Sequence, residues 1–231
     1  MAAQTRLIYL SSDNFQTLDV KNMGDAPILL QSWVDDGAGN PHLAQAPFVV
    51  DPATLYLKPQ QSKNLMIIYT GDDLPQTYES AFWLNLYQVR AANKQDDAIN
   101  KITLNFNTQL KIFYRPISLN KELDIKKLAN LIEFKADFNI EHNKINKLKI
   151  IANNSSLYNA SFSDIILNIK DINFNIMQTD NMLLKPNSSN IYLIELNQQQ
   201  LNINDLNNAQ IIFNLIDDFG HTKQFSSQLK F

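Results

Sequence analysis

Along its first half the chain alternates apolar and polar residues with a period of two, and no other feature restricts its fold as tightly. The segments Thr5–Leu10, Thr17–Val20, Ile28–Val34, Leu65–Tyr69, Ala81–Val89 and Ile102–Phe113 are rich in β-branched, aromatic and aliphatic residues at strand length. A period of two places successive side chains on opposite faces of a strand, whereas an amphipathic helix needs a period of 3.6. Turn formers separate the segments: Ser11-Ser12-Asp13-Asn14, Asn22-Met23-Gly24-Asp25, Asp35-Asp36-Gly37-Ala38-Gly39-Asn40-Pro41 and Gly71-Asp72-Asp73-Leu74-Pro75. About seven short strands spaced in this way predict an antiparallel β-sandwich of immunoglobulin-like type.

After Tyr114-Arg115-Pro116 the character of the chain changes. Pro116 cannot donate to a ladder and biases Arg115 away from helical geometry, so it ends a long strand. Asn, Ile, Lys and Leu then dominate, and strand-like pieces recur at Leu131–Phe138, Leu148–Ala152, Phe162–Ile169, Ile191–Leu196, Ile211–Ile216 and Phe225–Phe231, with a short helical stretch at Leu123–Ala129. The expectation is an all-β chain of two domains, residues 1–116 and 117–231, each near the ~100 residues that a sandwich uses.

Composition removes several function classes. Twenty Lys plus Arg against 23 Asp plus Glu give a net charge of −3, without the basic excess expected of a nucleic-acid binder. No run approaches the ~20 apolar residues of a membrane span, so no membrane insertion is expected. With no cysteine, disulfides, thiolate metal sites and cysteine nucleophiles are excluded. His42, His142 and His221 lie far apart, no metal or cofactor motif is present, and none is expected to bind. Three Asp-Asp pairs, at 35–36, 72–73 and 217–218, are poor candidates for paired-carboxylate catalysis. Neighbours on a strand point to opposite faces, and those in turns are solvated, so an enzyme is not expected. Met1–Arg6 shows no basic segment leading into an apolar stretch, which leaves either a cytoplasmic protein or one whose leader has been removed.

Six segments give the first domain a resemblance. Thr5-Arg6-Leu7-Ile8-Tyr9, Pro27–Asp36, Pro47-Phe48-Val49-Val50, Leu74-Pro75, Glu79–Asn85 and Lys111-Ile112-Phe113-Tyr114-Arg115-Pro116 stand in the order seen in the periplasmic pilus-assembly (fimbrial) chaperones of the chaperone–usher pathway. Asn153–Tyr158 and Ile216-Asp217-Asp218-Phe219-Gly220 extend the resemblance more faintly into the second domain. The chain departs from that family where a Pro-Pro-hydrophobe-Arg stretch is replaced by Asp51–Tyr56, where two arginines are replaced by Met66 and Tyr78, and where a double proline after the Trp83 strand is missing.

The resemblance implies two immunoglobulin-like domains around a cleft, a periplasmic location, pilus or fimbrial subunits as guests, and an outer-membrane usher to which they are delivered. It implies that Arg6 and Lys111 anchor the guest's terminal carboxylate, that Ile102, Leu104 and Phe106 fill pockets in the guest, and that Glu79, Arg115 and Asp218 form an inter-domain salt bridge. Trp33 and Trp83 are expected to be core aromatics, and Asp51-Pro52 is a candidate cis peptide. From the residues alone, the apolar face Ile102, Leu104, Phe106, Thr108 and Leu110 reads by default as a strand turned into its own core, and the resemblance reverses that reading for Ile102, Leu104 and Phe106. Exposed apolar donors also imply self-association when no guest is bound. The alternative function is a two-domain adhesin or carbohydrate-binding module, for which Tyr56, Tyr87 and Tyr158 would have to form an exposed platform.

Overall fold

The computed structural model describes residues 2, 4–43, 45–90, 104–119, 121–141, 144–170, 172–176, 182–195, 206 and 208–230. The chain divides into two units, one of residues 1–76 and 80–119, the other of residues 77–79 and 120–231.

The first unit contains β1 (Arg6–Leu10), β2 (Gln16–Lys21), β3 (Ile28–Asp35), β4 (Phe48–Asp51), β5 (Thr54–Leu57), β6 (Ser62–Tyr69), β7 (Ser80–Arg90) and β8 (Phe106–Arg115). One sheet has the order β1-β8-β7-β3-β5 and the other β2-β6-β4. Their facing sides form a continuous apolar core that includes Leu18, Val20, Leu65 and Ile67 from the smaller sheet and Leu30, Leu84, Leu110 and Ile112 from the larger. Tyr9, Phe48, Tyr69, Phe82 and Tyr114 close one end of it with edge and tilted ring contacts. The Asp51–Pro52 peptide is cis.

Alternation explains which side chains enter this core. Ile28, Leu30 and Val34 of β3 and Phe82, Leu84 and Leu86 of β7 point inward, which puts residues of the other parity on the outer face. Trp33 and Trp83 belong to that other parity. Contrary to expectation they are half-buried on the outer face and outside the core. Trp33 donates from Nε1 to Asp35 Oδ2 at 3.2 Å and meets the Tyr87 ring at 6.4 Å. Trp83 covers Gly37, whose φ of +107° and lack of a side chain let the turn after β3 lie against the indole at 3.3 Å from the ideal Cβ position.

The second unit contains α1 (Ile125–Asn130), β9 (Ile132–Glu141), β10 (Lys144–Asn154), β11 (Ala160–Ile169), β12 (Ile172–Ile176), β13 (Leu183–Leu184), β14 (Ser188–Glu195), β15 (Gln210–Ile216) and β16 (Thr222–Gln228). Its sheets run β14-β10-β9 and β12-β11-β15-β16, with β13 added to β11. Phe134, Phe162 and Phe213 meet in a core with Leu148, Ile150, Leu167 and Leu215. Asp124 caps α1 by accepting from the Lys126 and Lys127 N–H groups, which holds its carboxyl below the usual range. The architecture is all-β, as predicted, in two β-sandwiches, with α1 a short helix among the described residues.

Candidate functional site

β1 and β8 run parallel, with Arg6 opposite Lys111, Ile8 opposite Phe113 and Leu10 opposite Arg115. Neither cation shares the parity of Leu7, Tyr9, Leu110 or Ile112, so both project from the outer face as neighbours. On the other side of β8, Lys111 stands opposite Trp83. Arg6 is only 7% exposed, and its guanidinium carbon lies 5.7 Å from the centre of the Phe113 ring, a cation–π contact. Lys111 is half-buried, and among the described residues its ammonium has neither a hydrogen bond nor an ion pair. Burial, and secondly the charge of Arg6, push the Lys111 ammonium down to about 8 from the usual 10.5. Two adjacent, poorly solvated cations favour an anion, and a carboxylate with about four lone-pair sites can accept charge-assisted bonds from both.

The second element of the site is the edge of β8. β1 begins at Arg6 opposite Lys111, while β8 continues upstream to Phe106 with only β7 beside it. Ahead of Arg6 the chain turns to the other sheet, where Ala2 bridges Val20. Among the described residues the stretch Phe106–Leu110 therefore has one paired and one open side. An open edge presents unpaired N–H and C=O groups to any added strand. Along it Phe106 is 58% exposed, with Leu104 just upstream 65% exposed, while Leu110 is 2% exposed and belongs to the core. The apolar face thus divides near Thr108, outward upstream and inward downstream. Ile102 lies outside the described residues.

The other expected residues have the following places. Glu79 is buried in the second unit, where its Oε2 accepts from Asn159 N–H and Asn159 Nδ2, each at 3.0 Å. Asp218, in the same unit, accepts from the Leu123 N–H at 3.0 Å. Arg115 is 1% exposed at the end of β8 in the first unit. Of the tyrosines proposed for a sugar platform, Tyr56 is exposed, Tyr87 meets Trp33, and Tyr158 packs against the second core. Sequence reasoning missed three positions: Phe113 beneath Arg6, Asn159 beside Glu79, and Asn85, which is fully buried behind the open edge. Strand parity signals Phe113 and Asn85, since each shares the outer face with Lys111. No local pattern signals Asn159.

Comparison with known proteins supplies the chain's family and relatives. The sequence pattern described as pili and flagellar-assembly chaperone, PapD N-terminal domain, matches residues 1–120. The chain is 28% identical over 219 residues to the chaperone protein LpfB of Salmonella typhimurium, covering 94% of this chain and 83% of that protein. It is 32% identical over 173 residues to the probable fimbrial chaperone LpfB of Escherichia coli O157:H7, covering 74% and 68%. Its fold is similar to the solved structure of the Salmonella enterica SafA pilin in complex with the SafB chaperone, with a TM-score of 0.73, 23% identity and coverage of 99% and 95%. With the family pattern spanning more than half of its residues, the chain belongs to the pili and flagellar-assembly chaperones.

Proposed function

We propose that this chaperone binds a pilus or fimbrial subunit by donor-strand complementation, lending β8 to an incomplete sandwich while Arg6 and Lys111 hold the subunit's C-terminal carboxylate. Like the rest of its family it acts by binding and not by catalysis. The observation that carries the reading is that the open edge of β8 stops where the two cations stand side by side. Strand addition to a bare edge is an established recognition mode, used by pilus chaperones among others.

The two features together dictate a direction. A guest whose last carboxylate sits at Lys111, and whose preceding residues lie along Phe106–Leu110, must run from the Phe106 end toward Lys111, parallel to β8. Its end then abuts the start of β1 and continues that strand's line across the sheet. Anchoring the chain end also sets register, because a slip of one residue turns every side chain to the wrong face. Ile102, Leu104 and Phe106 enter the guest's open core at ~1.5–3 kcal/mol each, roughly 5–9 kcal/mol gross. Lost rigid-body freedom and side-chain ordering offset much of that gain, which leaves the ladder bonds and the anchor to set net affinity.

The compartment in this reading is the periplasm, and the guest is passed on to an outer-membrane usher. The SafB chaperone was solved with a pilin bound, which supports a pilin as the class of guest. The test is co-purification with a fimbrial subunit, with and without a short C-terminal extension, on wild-type and Lys111→Ala chaperone. Capture that needs both the native chain end and Lys111 is expected. Capture indifferent to both would refute the anchor.

A further inference from the structure

Among the described residues, β8 upstream of Lys111 is flanked on one side only, and a strand held by a single neighbour frays easily. Its side chains on the outer face are Asn107 and Gln109, two flexible amides that on an ordinary edge would sample the space beside the strand. Here both are drawn inward. Asn107 Nδ2 and Gln109 Nε2 donate to the same oxygen, Asn85 Oδ1, at 2.9 and 2.8 Å. Asn85 is on β7, opposite Gln109 and fully buried, and its own Nδ2 donates to the Trp83 carbonyl at 3.3 Å, which settles which end of the amide faces β8. One step further out, Asn105 Nδ2 donates to the Tyr87 hydroxyl at 3.1 Å. Gly39, at φ +67°, backs the Gln109 amide with its ideal Cβ position 3.4 Å from Nε2, so a side chain there would crowd that amide.

We infer that Asn85 is a positioning residue: its buried carbonyl fastens Asn107 and Gln109 to β7, so that residues 106–110 of β8 stand as a pre-ordered template with their open edge clear of side chains. The inference rests on the proposed strand donation for its purpose, but not for its geometry. Ordering before capture lowers the entropy that the guest must offset, and it acts through Asn107 and Gln109, whose side chains lie on the outer face and outside the core. Burying an asparagine on the outer side of a sheet has a desolvation cost, which the three hydrogen bonds compensate.

The test is amide hydrogen exchange on the free, full-length protein. Asn85→Ala is expected to speed exchange about tenfold at those amides of Phe106–Leu110 that bond β7, leaving Ile112–Tyr114, held from both sides, unchanged. The double variant Asn107→Ala/Gln109→Ala should produce the same acceleration. Combining all three substitutions should add nothing further, since one interaction is being removed from either end. Uniform acceleration along β7 and β8 would make Asn85 an ordinary stability residue and overturn the inference, as would additive effects or no change at residues 106–110. In the capture assay, Asn85→Ala should slow association while leaving dependence on the guest's chain end intact. Exchange is read without a guest, so a failed template and a failed Lys111 anchor give different results.

Discussion

In the unfolded chain Lys111 titrates near 10.5, and in the folded first unit burial and the neighbouring Arg6 bring it to about 8. Between those values the unfolded state binds more protons than the folded one, so this group's contribution to stability rises with pH across that window. Below pH 8 the full cost of holding the charge is present. Lys111→Met is therefore expected to stabilise the free protein at pH 7 by on the order of 2 kcal/mol and to lose that advantage near pH 10.5. Urea denaturation at the two pH values checks it, and an advantage of equal size at both would show that the ammonium is not the source. The same variant should fail to capture a guest, so stability and function move in opposite directions. A bound carboxylate favours the protonated lysine, so capture should take up a proton and weaken as pH climbs past about 8, visible by calorimetry in buffers of different ionisation enthalpy. Glu79 offers a contrasting case in the second unit. Glu79→Ala strands two buried Asn159 donors and should cost about 2–3 kcal/mol in denaturant unfolding, whereas Glu79→Gln keeps one acceptor and should cost less.

At the scale of the element, β8 performs two tasks along one alternating face. Leu110, Ile112 and Tyr114 are built into the first core, while Leu104 and Phe106 stand outside it. Leu110→Ala should cost 2–5 kcal/mol, of the order seen for large-to-small core changes. Phe106→Asp should leave stability within about 0.5 kcal/mol of wild type while abolishing capture. Severe unfolding of Phe106→Asp would instead assign that ring to the chaperone's own core. Alternation alone could not draw the boundary between the two halves, because it reports which residues share a face and not where the opposing sheet ends. The tryptophans are the opposite case: parity puts Trp33 and Trp83 on the outer face, and the expectation of core aromatics set that parity aside. Long strands such as β3, β7 and β11 were legible from period and turn residues. β4, β5 and β13 were not read as strands, being two to four residues long and so too short for alternation to register, and β12 was passed over although Ile172, Phe174 and Ile176 alternate. The pairing of Arg6 with Lys111 joins strands remote in the chain, and only the resemblance to a family suggested it.

For the molecule as a whole, each unit closes its own core, and two sheet edges keep large apolar side chains exposed. Phe106 at the open side of β8 and Leu104 just upstream are exposed, and the edge strand β14 of the second unit carries Ile191 and Leu193, 57% and 74% exposed. Bare edges with apolar side chains recruit further strands, and a net charge of only −3 offers little repulsion against it. The guest-free chaperone is therefore expected to self-associate as its concentration rises, measurable by sedimentation velocity. Which edge is responsible can be read from two substitutions. If β8 mediates association, Phe106→Asp yields a monomer and Leu193→Asp changes nothing, and a captured guest also dissolves the assembly because it occupies the same edge. If β14 mediates it, the pattern reverses and guest-loaded protein still associates. A strictly monomeric wild type at high concentration would mean that neither edge recruits a second copy, and that β8 stays available to a guest without protection.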